Sequence, residues 1–351
     1  MQQDLMKKTA IACLLFFAVA MGVILYMSAN RVIIIADVAQ DEVEENVPAE
    51  QAQEIESEKA LTFILGEAYS SYLCIPLPED CKADKIVIEN HYMDKELWIT
   101  VAGAEEDFYG VNAVSGNREM ITEGIYERAE NGVKIRFRLT GIYEYRTILE
   151  NNSLYISFLS PREMYDKIVV IDPACGGLNA GYTVEGMNEK EINLQIARKL
   201  KEKLDSGSIK AYYTRMDDVN PGEEERVYLA NETKADMYIR IQVNADEDAG
   251  IYGAQAVYNG DYFIPGFGSI ELADRLEREV VTSIRGKALG LAEAGTEEYA
   301  IRHITIPAAA IQVGYITNKQ ERTLLEKEEY IDKIAAGIYN AILAAYEENG
   351  Q

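Results

Sequence analysis

The sequence predicts an α/β domain with a largely parallel sheet flanked by helices, preceded by a small all-β sandwich and an N-terminal transmembrane helix. Three observations carry this. Thr9 to Ala29 contains no charged residue, the length that crosses roughly 30 Å of hydrocarbon as a helix. Val133, Ile135, Phe137 and Leu139 alternate with Lys134, Arg136 and Arg138, the period of two that buries one face of a strand. From Lys167 onward, apolar strand-length runs alternate with amphipathic helical segments, the pattern of a parallel sheet with crossover helices.

Along the chain, residues 1–8 read as a cytoplasmic tail, because Lys7 and Lys8 precede the apolar run and only Arg31 follows it closely. Residues 9–29 form the anchor, and the rest faces outside at the cell membrane. Tyr26, Met27 and the further apolar run Val32 to Ile35 favour an uncleaved span over a cleaved signal peptide. Cys13 reads as a small apolar residue of that span. Residues 30–60 are an acidic linker: Asp37 to Glu58 carries nine carboxylates and no Lys or Arg, so it solvates rather than buries a core.

The whole chain of 351 residues sets 34 Lys plus Arg against 59 Asp plus Glu, a net charge of −25. That balance disfavours a nucleic-acid binder. The composition, 48% hydrophobic and 26% charged, is globular. Only two histidines are present, His91 and His303, which excludes a multi-histidine metal centre.

Residues 61–160 read as short strands: Lys85 to Glu89, Glu96 to Val101, the alternating run at 133–139, and Leu154, Ile156 and Phe158 after the turn Asn151-Asn152-Ser153. The stretch GVKIRFRLTGIYEYRTILENNSLYISFLSP resembles the second half of an AMIN domain, the β module often found ahead of cell-wall amidases. Cys74 and Cys81 either form a disulfide or stay free; spacing alone leaves that open. The row Lys134, Arg136 and Arg138 is a candidate contact for anionic wall polymers, against the plainer reading as a solvated sheet face.

Residues 165–351 supply the α/β domain. Ile168 to Ile171, Ala211 to Thr214, Met237 to Val243, Ala254 to Tyr258 and Ala308 to Val313 read as strands. Ile192, Ile196, Leu200 and Leu204 recur at helical spacing. Glu223 to Glu232, Ile270 to Ile284 and Ile331 to Glu347 are the further helices. In such sheets ligands bind at the carboxyl ends of the strands, so the informative residues follow each apolar run: Asp172-Pro173-Ala174-Cys175-Gly176-Gly177, Asn188-Glu189 opening a helix, Thr214-Arg215, Glu225-Arg226, Gln242-Val243-Asn244 and Gln312-Val313-Gly314.

At these points, in the same order and spacing over 167–347, the chain resembles the zinc-dependent N-acetylmuramoyl-L-alanine amidases of bacterial cell walls. The resemblance implies hydrolysis of the amide between N-acetylmuramic acid and the first alanine of the stem peptide, by water on a zinc ion held by two His and one Glu, with a second Glu as general base. The ligand Glu is retained as Glu189. Cys175 and Gln242 stand at the two His positions, and Gln312 at that of the catalytic Glu. An amide oxygen is a poor zinc ligand, and Gln312 lacks a carboxylate's basicity; loss of a positioned base alone forfeits about 10²- to 10⁴-fold in rate. No cofactor is therefore expected.

The favoured reading is a disarmed amidase-fold protein that binds peptidoglycan or a wall-remodelling or division protein. The alternative is a working zinc amidase with an atypical site. A Cys175 and His303 nucleophilic pair is a lesser possibility. Asn244, Arg215 and His303 are the candidate substrate contacts, although Arg215 and Arg226 also read as charges tying loops to the sheet.

Overall fold

A computed structural model describes residues 58–64 and 71–348, which divide into two compact units. The expected anchor at 9–29 and most of the acidic linker lie outside the described residues. Among the described residues, no helix is long and apolar enough to cross a membrane.

The first unit is all β, apart from the single helical turn α1 (Phe108–Val111) and a short 3₁₀ turn at Ala83–Lys85. Its strands are β1 (Lys59–Ala60), β2 (Phe63–Ile64), β3 (Leu73–Pro76), β4 (Ile86–His91), β5 (Glu96–Ala102), β6 (Val114–Gly116), β7 (Ile121–Ala129), β8 (Gly132–Leu139), β9 (Glu144–Glu150) and β10 (Ser153–Leu159). They form two five-stranded sheets, ordered β1-β7-β8-β5-β4 and β2-β6-β3-β10-β9. The unit begins inside the expected linker, because Lys59 and Ala60 pair with Tyr126 and Ile125.

Alternation holds on β8: Val133, Ile135 and Phe137 are fully buried, and the basic residues face out. Asn151 and Asn152 both adopt left-handed backbone, φ 50° and 54°, as a two-residue hairpin turn between β9 and β10 requires. The basic row is not a positive patch, because carboxylates meet each member. Lys134 lies 3.9 Å from Glu127, Arg138 lies 3.0 Å from Glu123 and 3.6 Å from Glu96, and Arg136 pairs with Glu58. Cys74 and Cys81 are both free thiols, so the bridge left open by their spacing is not formed.

The second unit opens with the turn α2 (Pro161–Met164) and runs β11 (Ile168–Pro173), the hairpin β12 (Thr183–Val184) and β13 (Met187–Asn188), α3 (Glu189–Leu204), β14 (Lys210–Tyr213), α4 (Glu223–Glu232), β15 (Met237–Asn244), β16 (Ala254–Tyr258), α5 (Ser269–Ile284), β17 (Ala288–Glu293), α6 (Tyr299–His303), β18 (Ala308–Tyr315), α7 (Lys319–Leu325) and α8 (Glu328–Glu348). Six strands form one sheet, ordered β14-β11-β15-β18-β16-β17. All neighbours are parallel except β16 with β18, so the sheet is largely parallel as the alternating pattern predicts. Strand β17 and the short helices α6 and α7 carry no apolar period long enough to show in the sequence.

Both faces of the sheet are covered. Ile171, Ile239, Ile241 and Ile311 pack with Ile196 and Leu200 of α3, Leu272 and Leu276 of α5, and Ile334 and Ile338 of α8. On the opposite face Val170, Tyr238 and Ala310 pack with Leu229 of α4 and Ile301 of α6. This double burial makes β11, β15 and β18 near-continuous apolar runs, broken only by Arg240 on β15 before the polar side chains at their carboxyl ends.

Helices α5 and α8 cross so closely that a Cβ on Gly337 would stand 2.7 Å from the Cα of Val280. Gly337→Ala should therefore cost about 1–3 kcal/mol through overpacking, although Ala is the better helix former. A urea midpoint that falls relative to the parent checks this.

Candidate functional site

The floor of the site is a buried charge. Asp172, fully buried at the end of β11, accepts hydrogen bonds from Thr214 at 2.5 Å and from Arg226 and Tyr238, and Arg240 Nε lies 3.5 Å away. Burial alone would raise its pKa, but the guanidinium groups of Arg226 and Arg240, helped by the Thr214 and Tyr238 hydroxyls, hold it below the usual carboxylate range. Arg240 also grips Glu223 with both terminal nitrogens, at 2.9 and 3.0 Å. Arg215 donates to the carbonyls of Pro173, Ala174, Asp217 and Lys190 at 2.8 to 3.1 Å. Arg215 and Arg226 thus tie loops to the sheet, one of the two roles that the sequence allowed them.

Above this floor the loop after β11 turns sharply. Cys175, Gly176 and Gly177 have φ of 65°, 131° and 52°. A Cβ on Gly176 would meet the Val219 carbonyl oxygen at 2.0 Å, so only glycine fits. Cys175 itself is a cysteine in left-handed backbone, a conformation that costs roughly 1–2 kcal/mol. The β12–β13 hairpin returns the chain to the start of α3 and sets Glu189 beside the thiol. A Cβ on Gly181 would lie 2.4 Å from Glu189 Oε2 and 2.9 Å from Cys175 Sγ.

Glu189 is buried, and N–H groups of the chain occupy its carboxylate. Oε2 accepts from the Tyr182 amide at 3.1 Å, and Oε1 from the Val243 amide at 3.2 Å and from Asn193 Nδ2 at 3.3 Å. Burial still raises its pKa, opposed by those three donors. Burial, and then the charge of Glu189, push the Cys175 thiol up to about 12. Gln242, near the end of β15, donates from Nε2 to Glu298 Oε1 at 2.8 Å, while its Oε1 is buried with no partner. Gln312 on β18 accepts from Asn244 Nδ2 at 2.7 Å, and Asn244 also donates to the Tyr315 hydroxyl at 3.2 Å. The register of β15 and β18 shifts between Gln242 and Asn244, and pairing resumes at Asn244 with Tyr315, an irregularity of the kind found beside functional sites.

The structure therefore brings Cys175 together with Glu189, aligns Gln242 with Gln312 across adjacent strands, and joins Gln312 to Asn244. His303 is apart from them in its contacts: it is exposed, stacks on Tyr299 at 3.9 Å and places Nδ1 2.8 Å from the Tyr299 carbonyl. Among the described residues no hydrogen bond joins it to Cys175, so the nucleophilic pair is not assembled. Sequence reasoning missed Glu298 and Arg240. Glu298 precedes α6 in a segment without periodicity. Arg240 sits within an apolar strand, where an isolated arginine between Ile239 and Ile241 was the signal that could have found it.

Zinc does not fit these residues. A ligand carboxylate needs a free lone pair, a thiol must lose its proton, and a carboxamide offers only a neutral oxygen. Here N–H donors take three of the lone pairs of Glu189, burial and then the charge of Glu189 push the Cys175 thiol up, and Gln242 offers only its neutral Oε1. Among the described residues, no group of three or more His, Cys, Asp or Glu side chains is arranged to hold a metal.

Residues 169–344 match the family described as Amidase_3, N-acetylmuramoyl-L-alanine amidase. The germination-specific N-acetylmuramoyl-L-alanine amidase of Bacillus subtilis is 31% identical over 198 residues, covering 52% of this chain and 81% of that protein. An N-acetylmuramoyl-L-alanine amidase from Clostridium difficile 630 has a solved structure that is 30% identical, covering 53% of this chain and 98% of that one, with a TM-score of 0.49. The CwlD amidase of Clostridioides difficile, solved in complex with the GerS lipoprotein, is 26% identical, covering 52% of this chain and 99% of that one, with a TM-score of 0.48.

The Asp172 cluster has a pH signature. A carboxyl whose native pKa lies below its unfolded value of about 3.9 contributes stability above that value and loses it as pH falls through the native pKa. Asp172→Asn, which leaves Arg226 buried without its partner, should cost about 3–5 kcal/mol at pH 7. In urea unfolding the gap between the two proteins should narrow as pH drops below about 4. A gap independent of pH would show that Asp172 is not charged in the folded chain.

Proposed function

The chain belongs to the N-acetylmuramoyl-L-alanine amidase family, and we propose that it is a disarmed member which binds peptidoglycan or a wall-remodelling partner without hydrolysing it. The observation that carries this reading is the fate of the site's polar atoms. At positions where the resemblance expects two imidazoles, a ligand carboxylate and a basic carboxylate, this chain has a protonated thiol, a carboxylate bound by three N–H donors, and two carboxamides engaged by Glu298 and Asn244. Neither a Lewis acid nor a general base is assembled, and the two losses fall on separate parts of hydrolysis.

Membrane anchoring through residues 9–29, with the described units outside, is part of this proposal and rests on the sequence. So does the AMIN-like identity of the first unit. Its ion-paired basic row offers anionic polymers little net charge, which turns attention to the carboxyl end of the second unit's sheet. The CwlD relative is seen with a lipoprotein; by analogy a membrane-associated protein is the kind of partner that this reading adds to the wall itself. An active zinc amidase with an atypical site is the second reading, favoured only by the retention of Glu189.

The full chain is expected to pellet with insoluble peptidoglycan and to release no stem peptide from it, zinc supplied or not. Release of stem peptide at turnover rates within an order of magnitude of an active family member would overturn the proposal.

A further inference from the structure

Strand β16 runs against its neighbour β18, with Tyr258 in register with Ala309, so the loop that follows β16 leaves at the amino end of the parallel strands, away from the crevice. Nine consecutive residues there, Tyr262 to Ile270, carry no charge. Both ends of the loop are fixed. Asn259 is buried and donates to the Ile304 carbonyl at 2.8 Å, Asp261 accepts from Arg302 Nε at 2.7 Å, and Phe267 is buried in the core.

Between these fixings the tip is apolar and faces out. Phe263 is 89% exposed, Tyr262 43% and, at the start of α5, Ile270 50%; Pro265 is exposed and Ile264 half-buried. Gly266 has left-handed backbone, φ 87°, and a Cβ on it would meet nothing within 4 Å among the described residues. Large apolar side chains gathered at such a turn are unfavourable in water and mark a contact surface. Charges beside the tip are engaged within the chain: Asp261 by Arg302, Asp274 by Arg278 at 2.9 Å, and Glu271 by the Gly268 amide at 2.9 Å. A protein partner is selected by polar and charged groups around an apolar centre, and here those groups are taken. Two aromatic rings, one with a hydroxyl, beside aliphatic side chains suit instead the boundary between lipid headgroups and acyl chains.

We propose that Tyr262, Phe263 and Ile264 dip into the outer surface of the bilayer that anchors the chain, giving the second unit a peripheral membrane contact. The inference rests on the proposed anchor at 9–29 and adds where the chain returns to lipid. Residues 30–57 reach at most about 100 Å, so the anchor holds the tip near the bilayer at roughly millimolar effective concentration. Three side chains that would partition weakly from solution then suffice. The carboxylates Asp261, Glu271, Asp274 and Glu293, the last beside Gly260, disfavour anionic headgroups, so neutral lipid is the preferred surface.

The full chain is reconstituted in phosphatidylcholine vesicles containing a lipid with a photoactivatable diazirine in its acyl chain, illuminated, and digested for mass spectrometry. Lipid adducts are expected on 262–266 as well as on 9–29, and not on 176–179, the loop that exposes Leu178 at the opposite end of the sheet. Phe263→Asp should lower the yield at 262–266 about tenfold while adducts at 9–29 and the thermal midpoint stay as in the parent. The adduct map comes from the unmodified chain, so it stands even if the substitution disturbs folding. Adducts confined to 9–29 would overturn the inference and spare the anchor; adducts at neither place would sink both. Equal labelling of 176–179 would show indiscriminate contact and overturn it. So would a dimer that Phe263→Asp dissolves, with no adducts at the tip, which would assign the tip to a second copy of the chain.

Discussion

A carboxylate with no access to solvent, Asp172, sits where β11 ends, and the site is built around neutralising it. Arg226 reaches it from α4 and Arg240 from β15, while the hydroxyls of Thr214 and Tyr238 take its remaining lone pairs. Leaving such a charge without partners would cost several kcal/mol, more than most single interactions in a domain contribute. The need to match it fixes how α4 docks, where β15 places its one arginine, and how Glu223 and Glu298 are drawn towards that arginine. The positions of Gln242 and Gln312 follow, because both extend from strands locked in register beside it.

On that floor Glu189, Gln242 and Gln312 each have hydrogen-bond partners within the chain, although Gln242 Oε1 has none. Tyr182, Asn193 and Val243 donate to Glu189, and these N–H groups, with the more distant charge of Arg240, oppose the effect of its burial. The same negative charge, with burial, holds the neighbouring thiol in its protonated form. Carboxamides bring neither charge nor basicity, but they bring donors and acceptors in fixed places, which suits recognition rather than bond cleavage.

Much of this architecture was legible in the sequence because its signals are periodic. Doubly buried strands such as Ile168–Pro173 appear as unbroken apolar runs, α3 as a repeat of Ile192, Ile196, Leu200 and Leu204, and β8 as strict alternation. The motif residues Cys175, Glu189, Gln242 and Gln312 were legible through their order after those runs. What was not legible depends on three-dimensional company. Glu298 lies in an aperiodic segment and matters only because Gln242 faces it. The cancellation of the Lys134, Arg136 and Arg138 row arises from carboxylates on β5 and β7 and at Glu58. Whether Arg215 meets a ligand or a loop depends on four backbone carbonyls that spacing cannot locate.

If the chain's own hydrogen bonds have taken over the metal positions, the most direct measurement is the zinc content of the purified protein. The full chain, dialysed against a small excess of zinc at neutral pH and then against zinc-free buffer, is analysed for metal against protein. The expected content is well under ~0.1 equivalents, with no change when Glu189 is replaced by Gln, because that carboxylate is already engaged. Close to one equivalent, lost in Glu189→Gln, would contradict it.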